Sequence, residues 1–516
     1  MGAVQQRERP RTGRESRLSD SSELAGIAGA ILAAGDAETA EFYEKDAADL
    51  AACVGVFTAN EQRNDQLYEI YEGRVPLHKI PAIVPDRYKS MRLGCPWPEI
   101  AVQSVVERSK FEKFAFPESD TDEESVIDEI ADRCDLHLGY RSALTDSLIA
   151  GVSFAVVGVD ALGACVRWHT AQGAAGIWDY AHGRLACGFA IVDRARKRAV
   201  SGDEALDTVP SKVDFYTERG CWELTRDGLS PVWSAEWLPD VLGEPRIVAL
   251  TFRPDGRHPL GRSRFTVPMR GIVQEYMANA LNLHVASEFT AVGQKWVTGL
   301  TDAQFDALVN EKWKFSTDTA MLLTDNPKTN GNPQFGNFTQ QSMEPILSVK
   351  RSLATDFAAA ASIPVSELLT QDSNPTSADA LTAMQNKLIA LVESVNARNS
   401  RTLRRLALML LAIERDKPMA ELTDAERAVM VHMGRPDTMS DAARADAALK
   451  KASIMPWFST SDVCIEDLGY TQDQEERIKS DRDRYEARQA VQQAAQAAGL
   501  DLSGAPAPEA GGGEGA

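Results

Sequence analysis

At 516 residues and 44% hydrophobic content, the chain has the length for about three domains, each able to bury its own core. A formal charge of −20 excludes a protein that coats nucleic acid through a basic face, though not one along which nucleic acid slides without being gripped. Seven cysteines with no CxxC pair read as free, buried thiols in a reducing compartment, not as a disulfide framework.

Residues 1–25 read as a disordered arm, with Arg7, Arg9, Arg11, Arg14 and Arg17 in its polar part. The apolar run at 24–34 is far shorter than the ~20 residues that cross a bilayer. Asp20 and Glu23 directly before it suit a signal peptide poorly, and position 6 lacks the Ser or Thr that myristoylation of Gly2 needs. No membrane partner is expected. Helical patterns then run to about Asn64. The sequence LYEIYEG at 67–73 reads as an aromatic turn into a proline-rich passage with Pro76, Pro81 and Pro85. Pro96 and Pro98 bracket Trp97, and a helix is expected from Glu99 to about Ser109. The acidic run 118–124 reads as a solvated loop and the start of one helix to about Ala150, whose N-terminus favours negative charge.

The texture changes at Gly151. Short runs rich in β-branched and aromatic residues (VSFAVVGV, ACVRWH, GIWDY, CGFAIVDR, VDFYT, CWELT and, at 245–252, PRIVALTF) predict strands of one antiparallel sheet. Residues 151–253 thus form a β-rich lobe between helical segments, and the fold class is α+β.

GRSRF at 261–265 leads through Pro268 into a helical pattern to about Val292, with Ile272, Tyr276, Leu283 and Phe289 at apolar positions. Residues 295–299 and 320–323 read as short strands, Thr301 as the cap of a small helix to about Trp313, and 326–338 as a loop. A helix beginning near Pro345 carries Ile346, Val349, Leu353 and Phe357. It must stop near Ile363, because Pro364 disfavours helical geometry in the residue before it. The polar loop 365–375 ends in Asn374-Pro375, a turn signal. Thr376 then caps a new helix, with Asp379 three residues on, close to a capping box. Leu381, Met384, Leu388, Leu391 and Val395 give it one apolar face. At roughly 37 residues it exceeds the usual length of about 8–20, which suits a beam between subdomains or subunits.

Arg398, Arg401, Arg404 and Arg405 sit in the middle of that helix beside Asn396, Asn399 and Ser400. The cluster reads as a solvated face, or else as a salt-bridge surface between subunits or a patch near nucleic acid. The polar run interrupts the apolar stripe, so a kink or a change of packing partner is expected there. Shorter helices are expected to Met433 and over 441–451, with a break from Pro456. A charged, then Ala/Gln-rich helix follows at 472–498, and the tail 499–516 reads as disordered.

No P-loop, HExxH, GxSxG or GxGxxG sequence is present, so the usual signatures of nucleotide, zinc-protease and serine-hydrolase sites are missing. His169 and His182 lie near Asp179 in the β-rich lobe and could imitate a metal site, but their spacing fits no ligand pattern. Asp240, Glu244 and Asp255 read as loop carboxylates, and Trp222, Trp233 and Trp237 as core or interface anchors. No catalytic, cofactor-binding or metal residue is assigned and no cofactor is expected. The chain reads as a non-enzyme, with a hydrolase built on His169, His182 and Asp179 as the alternative.

The order of these elements resembles the portal (head-to-tail connector) proteins of tailed bacteriophages, of the siphophage type. The points of contact are LYEIYEG, GRSRF before a long helix, QKWVTGLTDAQFDAL at 294–308, and SIPVSELLTQDSNPTSADALTAMQNKLIALVESVN at 362–396. The last matches a family pattern of Ile-Pro, a Leu five residues after the Pro, then Asn-Pro, Ser or Thr, Ser-Ala, an acid and Ala-Leu, followed by a long helix. The resemblance covers about residues 65–415. Where these proteins often carry Leu-Gly after the Ile-Pro, this chain has Leu368-Leu369-Thr370.

The resemblance implies a ring, usually of twelve subunits, around a central channel. Residues 26–265 would form the wing, 266–292 and 342–362 the two stem helices, and 293–341 the clip. Residues 363–376 would be the tunnel loop, 377–470 the long wing helix with its successors, and 471–498 the crown. It also implies double-stranded DNA passing through the channel, and the terminase large subunit, head-tail adaptors and the major capsid and scaffold proteins as partners. The location implied is the portal vertex of a virion made in a bacterial cytoplasm. Thr370, Gln371, Asp372, Ser373 and Asn374 would face DNA from the tunnel loop, and Lys350 and Arg351 from the stem. That loop has one acid and no base, which suits passage over capture.

Overall fold

The computed structural model describes residues 20–34, 40–75, 93–117, 122–196, 208–292, 295–300, 320–324, 334–337, 342–369, 378–436, 441–470 and 472–497. The chain divides into two compact units, Met1–Pro436 and Asp437–Ala516. Residues 1–19, the tail 499–516 and the small helix expected at 301–313 lie outside the described residues. The end of the arm expected to be disordered is instead ordered, with Asp20–Glu23 helical and Leu24 buried in the core beside Ile27 and Ile31.

The first unit opens with α1 (Ile27–Ala34) and α2 (Ala40–Tyr71). The LYEIY sequence is not a turn but the last part of α2. Leu67 and Ile70 are buried at helical spacing, with Tyr68 and Tyr71 packed beside them. The chain leaves the helix at Gly73, which takes φ 70°. A Schellman pair of hydrogen bonds closes the end, from Gly73 to Ile70 and from Arg74 to Glu69. Next come α3 (Trp97–Val106) and β1 (Phe111–Ala115).

The single helix expected up to Ala150 is two, α4 (Asp122–Arg133) and α5 (Leu136–Ala150). Asp135 between them is left-handed, at φ 48°. Asp tolerates that conformation better than most residues, and the break lets Leu136 and Tyr140 point into the core.

The β-rich lobe holds eight strands: β2 (Val152–Asp160), β3 (Gly163–Thr170), β4 (Ala174–Asp179), β5 (Arg184–Arg196), β6 (Thr208–Tyr216), β7 (Gly220–Thr225), β8 (Ser234–Pro239) and β9 (Ile247–Thr251). They form two antiparallel sheets, ordered β3-β2-β9 and β4-β5-β6-β7-β8, in place of the one expected. The reason is in β2, which is buried on both faces. Phe154 and Val156 meet Leu185, Ala190 and Tyr216 between the sheets, whereas Ala155 and Val157 join the core under α3 and α5. The five-stranded sheet turns Phe189, Phe215, Trp222 and Leu224 toward α1 and α2. The layers therefore run helices, sheet, sheet, helices. β8, which was not anticipated, is an edge strand with a largely exposed pattern.

After the lobe come α6 (Val267–Val292) and three short strands, β10 (Lys295–Leu300), β11 (Ala320–Thr324) and β12 (Gln334–Asn337). These make a separate sheet ordered β11-β10-β12, with β10 parallel to β11 and antiparallel to β12. β12 lies in what reads from sequence as a loop. Then follow α7 (Glu344–Ala361) and the 37-residue α8 (Ala378–Glu414). Where only helices were expected after Glu414, Met430–Met433 is a strand, β13, paired antiparallel with β1. Four residues carry no strand signal of their own, so the distant partner decides their conformation. The capped turn before them, with Thr423 and Glu426 bonded reciprocally, sets their start.

The second unit holds α9 (Asp441–Ile454), α10 (Asp462–Leu468) and α11 (Gln472–Ala497). Lys451 of α9 pairs with Asp467 of α10. Among the described residues no helix is long and apolar enough to cross a membrane.

Candidate functional site

The residues that the resemblance would set along the channel and the long helix follow one another in one run of chain, from α6 through α7 to α8. α6 and α7 form an antiparallel hairpin. Arg264 donates to the Ala361 carbonyl at 2.7 Å, and Asn279 to the Ile346 carbonyl at 3.3 Å. Each step forward along α6 thus meets a step back along α7. Trp97 of α3 wedges against both helices, 4.3 Å from the Tyr276 ring and 5.6 Å from Phe357.

The stop of α7 is built locally. Ser362 is left-handed at φ 56°, its N–H and that of Ile363 return to carbonyls of the last turn, and Pro364 forbids further helix. A single 3-10 turn, Val365–Glu367, follows. Ile363 is buried, and Leu368 and Leu369 pack on the main core. Glu367 faces Arg108 at 3.4 Å. The root of the polar loop is therefore anchored to the turn that follows α3. Thr370, Gln371, Asp372, Ser373 and Asn374 themselves lie outside the described residues, as does the Thr376 cap.

Arg264, in the GRSRF motif, is fully buried. Desolvation, with the Arg253 charge, lowers its pKa to about 9. A buried cation with a carbonyl partner at a helix C-terminus caps that end of α7. Sequence reasoning flagged the motif but not this role. The signal was Gly261, whose φ of 83° and close approach to Gly151 and Phe252 leave no room for a Cβ. That contact fixes where the motif crosses the end of α5.

Lys350 is half-buried with its ammonium 5.9 Å from the Tyr276 ring centre, and exposed Arg351 pairs with Glu344 at 2.7 Å. Among the exposed side chains of the hairpin, Glu275, Glu344 and Asp356 are acidic. The four arginines of α8 do not act as one patch. Arg398 and Arg401 are exposed, and Arg404 donates to the Arg427 carbonyl. Arg405 joins Glu244, which also holds Arg184. So Glu244 is a bridging carboxylate, and Asp240 likewise pairs with Arg246.

The helix stays continuous across the polar run, and the packing partner changes there. Asn396 and Asn399 are buried, Ser109 donates to Asn396 at 2.6 Å, Asn396 donates to the Gly434 carbonyl, and Asn399 donates to Tyr140 at 2.9 Å. Ser109 and Tyr140 close the network at 2.8 Å.

The lobe residues fall into two places. Asp179 and His182 share an exposed hydrogen bond in the β4–β5 turn, which with the Ala181 N–H holds the Asp179 carboxyl below its usual range. His169 lies on β3 in the other sheet, opposite Phe154. Burial, aided by Arg167, lowers its pKa to about 4, and its Nε2 is buried without a hydrogen-bond partner. Among the described residues no cluster of three His, Cys, Asp or Glu side chains could hold a metal.

No protein-family model and no curated protein matches the chain. Among solved structures it is similar to a chain from the neck of an empty GTA particle computed with C6 symmetry. That match is 14% identical, covers 79% of this chain and 97% of that one, and has a TM-score of 0.36. It is also similar to a chain from the neck of a native GTA particle computed with C12 symmetry, at 12% identity, 73% and 90% coverage and a TM-score of 0.37. At such scores the likeness is coarse, and the functional reading rests on the chain's own residues.

Proposed function

We propose that the chain is a portal protein: one subunit of a ring, of about twelve copies, around the channel by which double-stranded DNA enters and leaves the capsid of a tailed-phage type of particle. The observation that carries this reading is the run from α6 to α8. An antiparallel hairpin bears a small inserted sheet. Its return helix is stopped by a Schellman turn and Pro364, and a polar segment then leads into a 37-residue helix. That succession is the one the quoted motifs imply for stem, clip, tunnel loop and wing. In this reading the terminase large subunit docks on residues 293–341 during packaging and head-tail adaptors dock later. The major capsid and scaffold proteins are the remaining partners.

Electrostatics support passage over capture. Tight binding to DNA draws on many Lys and Arg contacts to phosphate, whereas Arg351 is tied to Glu344 beside exposed Glu275 and Asp356.

End-on electron microscopy of the purified full-length chain across a range of concentrations tests the proposal. Closed rings are expected, and monomers under every condition would overturn it. Shortening residues 365–375 is expected to leave rings intact while abolishing DNA packaging; normal packaging by that variant would remove the tunnel-loop role.

A further inference from the structure

Two of the seven cysteines meet in the core beneath α1 and α2. Cys53, in the middle of α2, and Cys187, on β5, place their sulfurs 3.6 Å apart. They are 0% and 3% exposed. The pairing is set by the match of two repeats. One helical turn on from Cys53 is Phe57, and two residues on from Cys187 along the same face of β5 is Phe189. Phe57 and Phe189 meet edge to face at 5.6 Å. Four helical residues advance about 6 Å and two strand residues about 6.8 Å, so α2 and β5 stay in step over both rungs. The sulfurs are held in register by the aromatic rung beside them.

We propose that Cys53 and Cys187 are a dithiol–disulfide pair, which on oxidation by a small-molecule disulfide staples α2 to the five-stranded sheet. A disulfide needs the sulfurs about 1.5 Å closer than they stand, a movement within the reach of side-chain rotation and a small shift of α2. The chemistry balances as two exchanges. The first cysteine loses its proton, and its thiolate attacks one sulfur of the oxidant. This forms a mixed disulfide and expels one small thiolate, which takes up a proton. The second cysteine then loses its proton and attacks the protein sulfur of that mixed disulfide. The Cys53–Cys187 bond forms and a second small thiol leaves. Two protein thiols are oxidised and one small disulfide is reduced to two thiols. Because both sulfurs are buried out of reach of the oxidant, the first exchange waits on a local opening of α2 from the sheet, and the reaction is slow until α2 lifts. The pair lies outside the α6–α8 run, so the inference stands whether or not the chain forms rings.

The test incubates the full-length chain with glutathione disulfide. Free thiols are then blocked with N-ethylmaleimide, and peptides are mapped without reduction. The expected result is a Cys53–Cys187 linked peptide, with five alkylated cysteines remaining of the seven. The thermal midpoint should rise by several degrees and fall back on addition of dithiothreitol. Cys53→Ala and Cys187→Ala should each abolish link and rise together. A link between any other two cysteines instead, or glutathione adducts without a link, overturns the proposal. So does retention of seven free thiols when the urea-unfolded chain reacts fully under the same oxidant.

Discussion

Asp146 stands in the seam between α5 and α2, where Tyr68 donates to it at 2.9 Å. Burial raises its pKa to about 6, an effect the hydrogen bond only partly offsets. The folded chain therefore holds this proton more tightly than the unfolded chain, whose carboxyl titrates near 3.8, and stability falls as pH rises from about 4 to about 6. His169 acts oppositely. Its folded pKa of about 4 lies below 6.5, so stability is lost as pH falls through that window. The two slopes offset one another in the native chain. Asp146→Asn keeps an acceptor for Tyr68 and removes only the first slope. In urea titrations the variant should match the wild type near pH 4 and exceed it by about 2 kcal/mol at pH 7.5; an advantage that does not grow with pH would refute this. Gly261 is the other residue whose identity the fold dictates. With φ at 83° and carbonyls of Gly151 and Phe252 against the Cβ position, Gly261→Ala should cost about 3 kcal/mol or more, read as loss of soluble protein or a large drop in thermal midpoint.

The long helix α8 is held to its surroundings by a series of polar tethers along its second half. Asn396 and Asn399 bond Ser109 and Tyr140, Arg405 bonds Glu244, and Glu414 accepts from the Ala164 N–H at 2.8 Å. In a double-mutant cycle, Ser109→Ala and Asn396→Ala should each cost about 1–3 kcal/mol, with a coupling of about 1 kcal/mol. Strict additivity would show that they do not share one network. Arg264→Ala should cost about 3 kcal/mol by leaving a cavity and an orphaned Ala361 carbonyl. These elements differ in how legible they were. The α8 stripe, the stop at Pro364 and seven of the eight lobe strands follow from periodicity and proline chemistry, which are local. The split into two sheets was hidden, because a strand buried on both faces gives a continuous apolar run that does not say which sheet it joins. The break at Asp135 carries no glycine or proline to mark it. Asn396 and Asn399 read as surface residues because their partners come from segments more than 250 residues away.

At the scale of the molecule, the α6–α7 hairpin sets Glu275, Glu344 and Asp356 against Arg270, Lys350 and Arg351 and so carries no excess of positive charge, which predicts weak contact with DNA. In fluorescence anisotropy with a duplex at about 0.15 M salt the full-length chain should show no saturable binding in the micromolar range, and tight binding would contradict a sliding channel. The proposed channel and its loop were legible only as a succession of elements, since what faces a channel depends on neighbouring copies that no intrachain pattern encodes. β1 has its only described strand partner in β13, about 300 residues later, and the main core cluster that holds Phe111 and Phe114 also contains the α8 residues Leu388 and Val392. On a ribosome adding about 5–20 residues per second, β1 waits roughly 15–60 s for that partner. During synthesis the N-terminal helices must therefore stand for that interval with an open strand edge and an unfilled core, a window in which chaperone binding or premature association with a second nascent chain competes with folding.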